Sequence, residues 1–253
     1  MPAHAPAPPH PLLGVRPRAA SLALACALGL ACAGDEDEAR EQCYEPTLSL
    51  SLCDPAAVTF SLASTNAYYP LLVGSRVVLE GEDDGAQIRI EREVLADTEV
   101  VARVETHVLE HREYVDGALY EVARNFYVEA ADGTVCYFGE DVDFYEGGAV
   151  ANHDGTWRAG QDGAKPGIIM PATPAAGQAY FQESAPGEAI DQGQVEGYAA
   201  MNIGGQDYDA VLTVLDINPL DGCDEPEPKR YVPGIGEVGD VAVVLMEFTP
   251  GTP

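Results

Sequence analysis

Apolar and polar side chains alternate with a period of two through much of the chain. Residues 87–95 begin with strict alternation, and residues 119–129 are rich in aromatic and β-branched side chains. Asp-Gly pairs at 116–117 and 132–133 separate such runs, and this pairing is typical of tight hairpin turns. With residues 135–138 as its last strand, the pattern predicts an antiparallel meander of four strands.

Residues 99–113 fit two periodicities. Val100, Val104 and Val108 would share one face of a helix, but they would equally share one face of a strand. The neighbouring runs on both sides are strands joined by short turns. We therefore predict a strand.

Five further strand-like runs follow the central part of the chain, at residues 178–183, 193–201, 208–215, 229–232 and 238–248. With short strands before residue 87, they predict an all-β fold, a single antiparallel barrel or strongly curved sheet of about ten strands. Residues 140–174 are rich in Gly and Pro and predict a long irregular crossover packed over one end. The predicted β domain covers residues 66–248, with a short tail at 249–253.

The N-terminal residues have the features of an export signal. Arg16 and Arg18 precede an apolar run at 19–31 that is too short to span a membrane. Cys32 follows this run and is in turn followed by an acidic run at 35–38. The pattern resembles a bacterial lipoprotein signal, in which residues 1–31 are removed, Cys32 is lipidated, and residues 32–65 hold an acidic tether and short strands.

Two alternatives to lipidation at Cys32 stay open. Cys26 is a weaker lipidation site because it lies inside the apolar run, and a conventional signal peptide would be cut near residues 31–34. If Cys32 is the lipidated residue, the bilayer is a partner. Ala33 then favours the outer membrane over retention in the inner membrane, with the domain facing the periplasm or the cell surface.

Acidic residues dominate the charge. Asp and Glu number 42 against 13 Lys and Arg, which gives a net charge of −29. Because phosphate groups are bound by clustered Lys and Arg, this balance argues against nucleic acid as a partner. The negative charge favours cations or basic proteins as partners. The simplest alternative is that it only keeps the protein soluble as a monomer.

Four cysteines follow Cys32: Cys43, Cys53, Cys136 and Cys223. An even number in an exported protein predicts two disulfides. A local Cys43–Cys53 loop is the simplest pairing and would leave Cys136 with Cys223, although all three connectivities remain open. The spacing matches no zinc site.

Four segments carry a family resemblance: NAYYPL (Asn66–Leu71), FYVEAADGTVCYFGE (126–140), GTWRAGQDGAKPGIIMPATP (155–174) and YFQE (180–183). They resemble the pattern of an uncharacterised family of secreted bacterial β-domain proteins. Cys136 stands where that pattern usually has an aromatic residue, and Ala130 where it has Asp. The resemblance implies the fold and the domain limits, and it implies no activity.

Two histidine motifs match catalytic patterns only in part. His107 and His111 fit H-x-x-E-H, but on a strand they stand about 13 Å apart, too far for one zinc ion with bonds of about 2 Å. His153-Asp154 would orient a general base, yet no activated nucleophile accompanies it. Neither motif predicts catalysis.

Two groups of residues remain as candidate sites. The first group consists of acids in a predicted loop: Glu140, Asp141, Asp143 and Glu146. Their carboxylate oxygens are hard ligands of the kind that Ca²⁺ prefers. The alternative is that they form a solvated acidic loop. The second group would line a small-ligand cavity or else form core under the crossover: Tyr137, Tyr145, Trp157 and Tyr180.

Together these patterns predict an exported lipoprotein of the cell envelope. We expect a non-catalytic binding or structural β module that needs no cofactor, unless Ca²⁺ binds the acidic group. Its ligand would be a small molecule or another envelope protein. The alternative is a secreted hydrolase that uses acids of the 140–162 crossover.

Overall fold

Fifteen β-strands form one antiparallel sheet in the part of the chain that the computed structural model describes, residues 42–252. The export signal predicted for residues 1–31, the lipidated Cys32 and the acidic run at 35–38 lie outside the described residues. Residues 42–252 contain no α-helix and a single 3-10 turn, η1 (Leu50–Cys53). The prediction of an all-β fold is confirmed.

The strands are β1 (Phe60–Ser61), β2 (Arg76–Asp83), β3 (Ala86–Val101), β4 (Val104–Val115), β5 (Ala118–Ala130), β6 (Val135–Glu146), β7 (Ala149–Asn152), β8 (Trp157–Arg158), β9 (Gly167–Met170), β10 (Ala179–Phe181), β11 (Gln192–Ile203), β12 (Gln206–Ile217), β13 (Glu227–Val232), β14 (Gly236–Asp240) and β15 (Val243–Thr249).

The main path of the sheet runs from β10 through β15, continues with β2, and ends at β7. Strands β8 and β9 pair back onto β6, and β1 pairs with β5. Of the two predicted forms, a barrel or a strongly curved sheet, the barrel is wrong, because β10 and β7 at the two ends are not paired with each other among the described residues. Near this gap, an isolated bridge joins Lys165 to Ser184.

The prediction of about ten strands is too low, because the short strands β7, β8 and β9 lie within the predicted crossover and because some turns have no sequence signature. The run at 238–248 is two strands, divided at Val241, whose φ is +42°. The β3–β4 turn is made by Ala102 and Arg103, with φ of +49° and +70°. Such left-handed conformations are uncommon for residues other than Gly, Asn and Asp. Turns of this kind are not found when the sequence is searched for Gly and Asn as turn residues.

The predicted crossover begins later than residue 140. Strand β6 runs on to Glu146 and forms a hairpin with β7 through Gly147 and Gly148. The irregular part therefore starts after Asn152. It packs closely on the sheet, with Trp157 and Met170 buried.

Disulfides link Cys43 to Cys223 and Cys53 to Cys136. The predicted local pairing of Cys43 with Cys53 is therefore wrong. Cys43 lies next to Gln192, whose side-chain oxygen accepts a hydrogen bond from the Tyr44 amide at 2.9 Å. Cys53 ends η1 and lies against β6, so the segment between the two cysteines connects separate parts of the domain.

Two apolar clusters hold the sheet together. One gathers side chains around β5, β6 and β9, and the other gathers side chains of β2, β3, β12, β14 and β15. Strand β3 contributes Ile88 and Ile90 to the second cluster and Val94 to the first. Arg92 lies between them in the same alternation, so a charged side chain occupies a core-facing position.

Candidate functional site

The interior of the domain holds a cavity of about 630 Å³. Strands β3–β6 line one side of it, and strands β12–β14 with residues 182–191 line the other. The β12–β13 loop at 218–226 forms much of the exposed part of the lining, and the Cys43–Cys223 disulfide attaches this loop to the N-terminal segment. Cavities of this size are typical of small-molecule sites.

Strand alternation carries polar side chains into this cavity. Arg92 on β3 is opposite His111 on β4, and His111 is opposite Ala123 on β5. Glu121 and Asn125 flank Ala123 at the period of two, and all five residues line the cavity. The sequence analysis missed this set, although a charged residue at an apolar position of an alternating strand is a visible signal.

A β-bulge in β6 turns Glu140 inward. Asn125 is opposite Glu140 and Tyr127 is opposite Tyr137, so β6 has one more residue than β5 in this interval. Tyr137 and Glu140 are three residues apart and would lie on opposite faces of a regular strand. Because of the bulge, both line the cavity. Gly139 makes the bulge with φ of +135°, and a Cβ there would lie 2.4 Å from the carbonyl oxygen of Trp157. Only glycine fits this position without movement of the backbone.

Arg92 organises one wall of the cavity. Its guanidinium forms ion pairs with Glu237, and with Asp240 at 3.6 Å. Its Nε donates a hydrogen bond to Nδ1 of His111 at 3.1 Å. Because Nδ1 is the acceptor, the neutral imidazole carries its proton on Nε2. Burial first, and then the neighbouring charge of Arg92, hold the pKa of His111 well below its ordinary value.

Lys229 is the second buried cation of the lining. Its Nζ lies 2.6 Å from Oδ2 of Asp216. Burial opposes the charged form of the lysine, but the carboxylates of Asp216 and Asp240 outweigh it, and the pKa of Lys229 is raised. Both cations that line the cavity therefore already have carboxylate partners.

Several other buried carboxyls have no ion pair with any described residue. Burial raises the pKa of Glu121 to about 8, and Glu113 adds to this through its charge. Burial also raises the pKa of Glu140 to about 8, with a further contribution from Glu121. The pKa values of Glu183 and Asp191 are raised well above their ordinary range, again mainly by burial. Glu121 and Glu140 therefore hold protons near neutral pH, in spite of the charges of Arg92 and Lys229.

Four buried polar atoms of lining residues have no hydrogen-bond partner within the described part of the chain. Two are nitrogen donors, Nε2 of His111 and Nε2 of Gln182, and two are acceptors, Oδ1 of Asp216 and Oε1 of Glu237. All four residues are less than a tenth exposed. Leaving a buried polar group unpaired costs about 1–3 kcal/mol. Seven further buried atoms without a described hydrogen-bond partner lie outside the lining, but these four border a cavity with room for a polar ligand.

The predicted Ca²⁺ ligands do not converge. Glu140 faces the cavity, whereas Asp141 binds Arg158 with an oxygen–nitrogen distance of 2.6 Å. Asp143 lies 2.9 Å from Nδ1 of His153, and Glu146 is exposed at the β6–β7 hairpin. Within residues 42–252, no three His, Cys, Asp or Glu side chains lie close enough to share a metal ion.

The four predicted cavity aromatics separate in the structure. Tyr137 lines the cavity, while Tyr145 is not part of its lining. Trp157 and Tyr180 are buried in the core, and the Trp157 ring packs on Tyr137 with a centroid distance of 5.3 Å. Of the H-x-x-E-H histidines, His107 contacts the carbonyl of Leu62 at 2.8 Å through Nε2, and only His111 reaches the cavity.

Two further findings bear on the class of protein. No helix among residues 42–252 is long and apolar enough to cross a membrane. The resemblance described above remains a prediction, because the chain matches no model of a known protein family, no curated protein and no solved structure.

Proposed function

We propose that this protein is an exported binding module whose interior cavity takes a small polar ligand. The observation that carries this proposal is the set of unpartnered buried donors and acceptors around one cavity. A protein that needed only a stable core would fill this space with apolar side chains. Here the sheet instead retains Arg92 and Lys229 inside, at a considerable cost in desolvation.

The arrangement of the crossover supports binding rather than a moving lid. Trp157 and Ile168 are buried against β6, so the crossover is part of the packed core. In this proposal the sheet curves strongly around the cavity. Access is then through the rim at 218–226, where Asp224 and Glu225 are exposed.

Export and anchoring complete the proposal. Two disulfides are compatible with an oxidising compartment outside the cytoplasm. We propose that Cys32 carries the lipid, that the bilayer of the outer membrane is the attachment site, and that the domain acts as a monomer. The basis is the short apolar run followed by Cys32 and Ala33 in the sequence.

A hydrolase is the second candidate function. Glu140 and Glu183 both line the cavity, burial raises the pKa of each, and the charge of Glu140 raises the pKa of Glu183 further. Acid–base hydrolysis commonly uses two carboxyls whose pKa values are set by their environments. A Glu140→Gln variant that abolishes a measured hydrolysis of nitrophenyl glycosides would establish this second function.

The binding proposal is tested by thermal melts with a panel of small polar compounds: amines, amino acids, neutral sugars and dicarboxylates. A compound that binds only the native state raises its melting temperature. The matched variants are Ala123→Phe, which fills the cavity from β5, and Ala199→Phe, which adds the same ring to an exposed position of β11.

We expect at least one class of compound to raise the melting temperature of the wild type and of Ala199→Phe by several degrees, with no effect on Ala123→Phe. Stabilisation that persists in Ala123→Phe would place the site elsewhere. A panel without any stabilising compound would contradict a binding function for this cavity.

A further inference from the structure

The chemistry of the cavity lining indicates the class of ligand, an inference that rests on the proposed binding function. We propose that the cavity binds a hydroxylated organic amine, with its ammonium group held by the carboxyls of Glu140 and Asp191 and its oxygens by the donors of His111 and Gln182.

Charge selects a cation over an anion. The lining contains eleven Asp and Glu residues but only two cations, Arg92 and Lys229. Arg92 is paired with Glu237, and Lys229 is paired with Asp216. An anionic ligand would have to displace these carboxylates and would meet the remaining acids at short range. A cation favours the ionised form of these acids, and inside a protein the resulting attraction is stronger than in water.

Unpartnered atoms give a second and independent indication. Oδ1 of Asp216 and Oε1 of Glu237 are buried acceptors without a described partner, and the O–H groups of a ligand are donors that suit them. Nε2–H of His111 and the amide nitrogen of Gln182 are donors without an acceptor. Hydroxyl groups satisfy both kinds, because a hydroxyl donates as well as accepts.

The spread of the carboxyls favours an organic cation over a metal ion. Glu140 is on β6, Glu183 follows β10, and Asp191 precedes β11. Within residues 42–252, no three metal-binding side chains come close enough to share one ion. A bare divalent ion requires several convergent oxygens at about 2.0–2.6 Å, whereas an ammonium group needs only one or two carboxylates within hydrogen-bond distance.

Binding of a cation is linked to protons. The charged groups that act on Glu140 from the elements packed around it are Glu121 on β5, Asp191 before β11 and Lys229 on β13. Burial is the largest cause of the raised pKa of Glu140, and the two acids outweigh the lysine, so the carboxyl holds a proton near neutral pH. An ammonium placed among them favours the carboxylate form, and the bound protons leave for solvent.

Isothermal titration calorimetry of the purified protein at pH 6.5 tests this inference. The probes are glucosamine, which carries an ammonium group and several hydroxyls, glucose, which has a hydroxyl in place of that ammonium, and CaCl₂. Each titration is run in phosphate and in MOPS buffer, because released protons add a different heat of buffer ionisation in each. The variants are Glu140→Gln and Asp141→Asn, the latter adjacent in sequence but paired with Arg158.

We expect glucosamine to bind at least tenfold more tightly than glucose, with an apparent enthalpy that differs between the two buffers. Glu140→Gln should weaken glucosamine at least tenfold, and Asp141→Asn should leave it unchanged. A melt of each variant without ligand verifies folding. If Glu140→Gln fails to fold, Asp191→Asn takes its place with the same expected result.

Four results would overturn the inference. Glucose that binds as tightly as glucosamine would indicate recognition of a neutral sugar. Ca²⁺ that binds more tightly and displaces glucosamine would indicate a metal site. If glucosamine has no effect while another compound is blocked by Ala123→Phe, the amine inference fails and the binding function stands. If no compound binds the cavity, both fail.

Discussion

Nε of Arg92 and Nδ1 of His111 are 3.1 Å apart, and this one hydrogen bond determines what His111 presents to the cavity. Since a guanidinium only donates, Nδ1 must accept, and the imidazole proton is on Nε2. That proton has no acceptor among the described residues. Arg92 thus positions His111 as a neutral donor at a place where the fold itself provides no partner.

Arg92 should contribute far more to stability than a surface arginine of the same strand. Arg92→Met leaves Glu237 and Asp240 buried without a counter-charge, which should lower the free energy of unfolding by about 3–5 kcal/mol. Arg89→Met breaks pairs with Glu80 and Glu91 that are partly exposed, and should cost about 0–1 kcal/mol. Urea unfolding at pH 7 measures both. Equal effects would show that the interior ion pairs are not desolvated.

Stability should fall as the pH rises from about 5 to about 8. The pKa of Glu121 is raised to about 8, that of Glu140 to about 8 and that of Asp240 to about 7, chiefly by burial. The native state therefore holds protons that the unfolded chain has released, and each step of increasing pH favours unfolding. His111 acts in the opposite direction, because its lowered pKa destabilises the native state as the pH falls below about 6.5.

Thermal melts from pH 5 to pH 9 check this dependence. The double variant Glu121→Gln/Glu140→Gln keeps neutral side chains of similar shape and should flatten the decline over the same range. A wild-type melting temperature that increases from pH 5 to pH 8 would show that these carboxyls are not desolvated.

Gly139→Ala should destabilise the protein by roughly 2–4 kcal/mol, because the new methyl group would meet the carbonyl of Trp157 and φ is in the left-handed region. Gly148→Ala is the control, since its φ of +82° is also positive but no atom lies within 4 Å of the added Cβ. It should cost about 1 kcal/mol. Similar losses in the two variants would mean that the bulge is not under steric constraint.

The disulfides should differ in accessibility. Cys53 and Cys136 are fully buried, whereas Cys43 and Cys223 are partly exposed at the cavity rim. Mild reduction of the folded protein followed by alkylation and peptide mapping should label Cys43 and Cys223 first. Replacing Cys53 and Cys136 with Ala should cost about 2–5 kcal/mol. A peptide that joins Cys43 to Cys53 would refute the connectivity.

The regular part of the fold follows from the sequence. The period-two runs predicted the meander of β3–β6, and His107 and His111 do lie on a strand as expected. Turns at Ala102–Arg103 and Val241 were missed because their residues carry no turn signature. Whether the two edges of the sheet pair depends on long-range packing, which local patterns do not encode.

The site was predictable only in part. Glu140 and Glu183, the last residues of the YFGE and YFQE segments quoted for the resemblance, both reach the cavity. Asp141 and Asp143 were grouped with Glu140 because an acidic loop was expected, but a strand sends neighbours to opposite faces. The inward direction of Glu140 depends on the bulge at Gly139, which the sequence alone does not locate.

A long-range ¹H–¹⁵N spectrum of the histidine side chains tests the binding function most directly. The compound that gives the largest thermal stabilisation is added to the ¹⁵N-histidine-labelled protein. We expect the Nε2 resonance of His111 to shift as its unpartnered donor gains an acceptor, and the signals of His153, whose side chain is 66% exposed outside the cavity, to stay in place. A stabilising compound that leaves His111 unchanged would contradict a ligand site in this cavity.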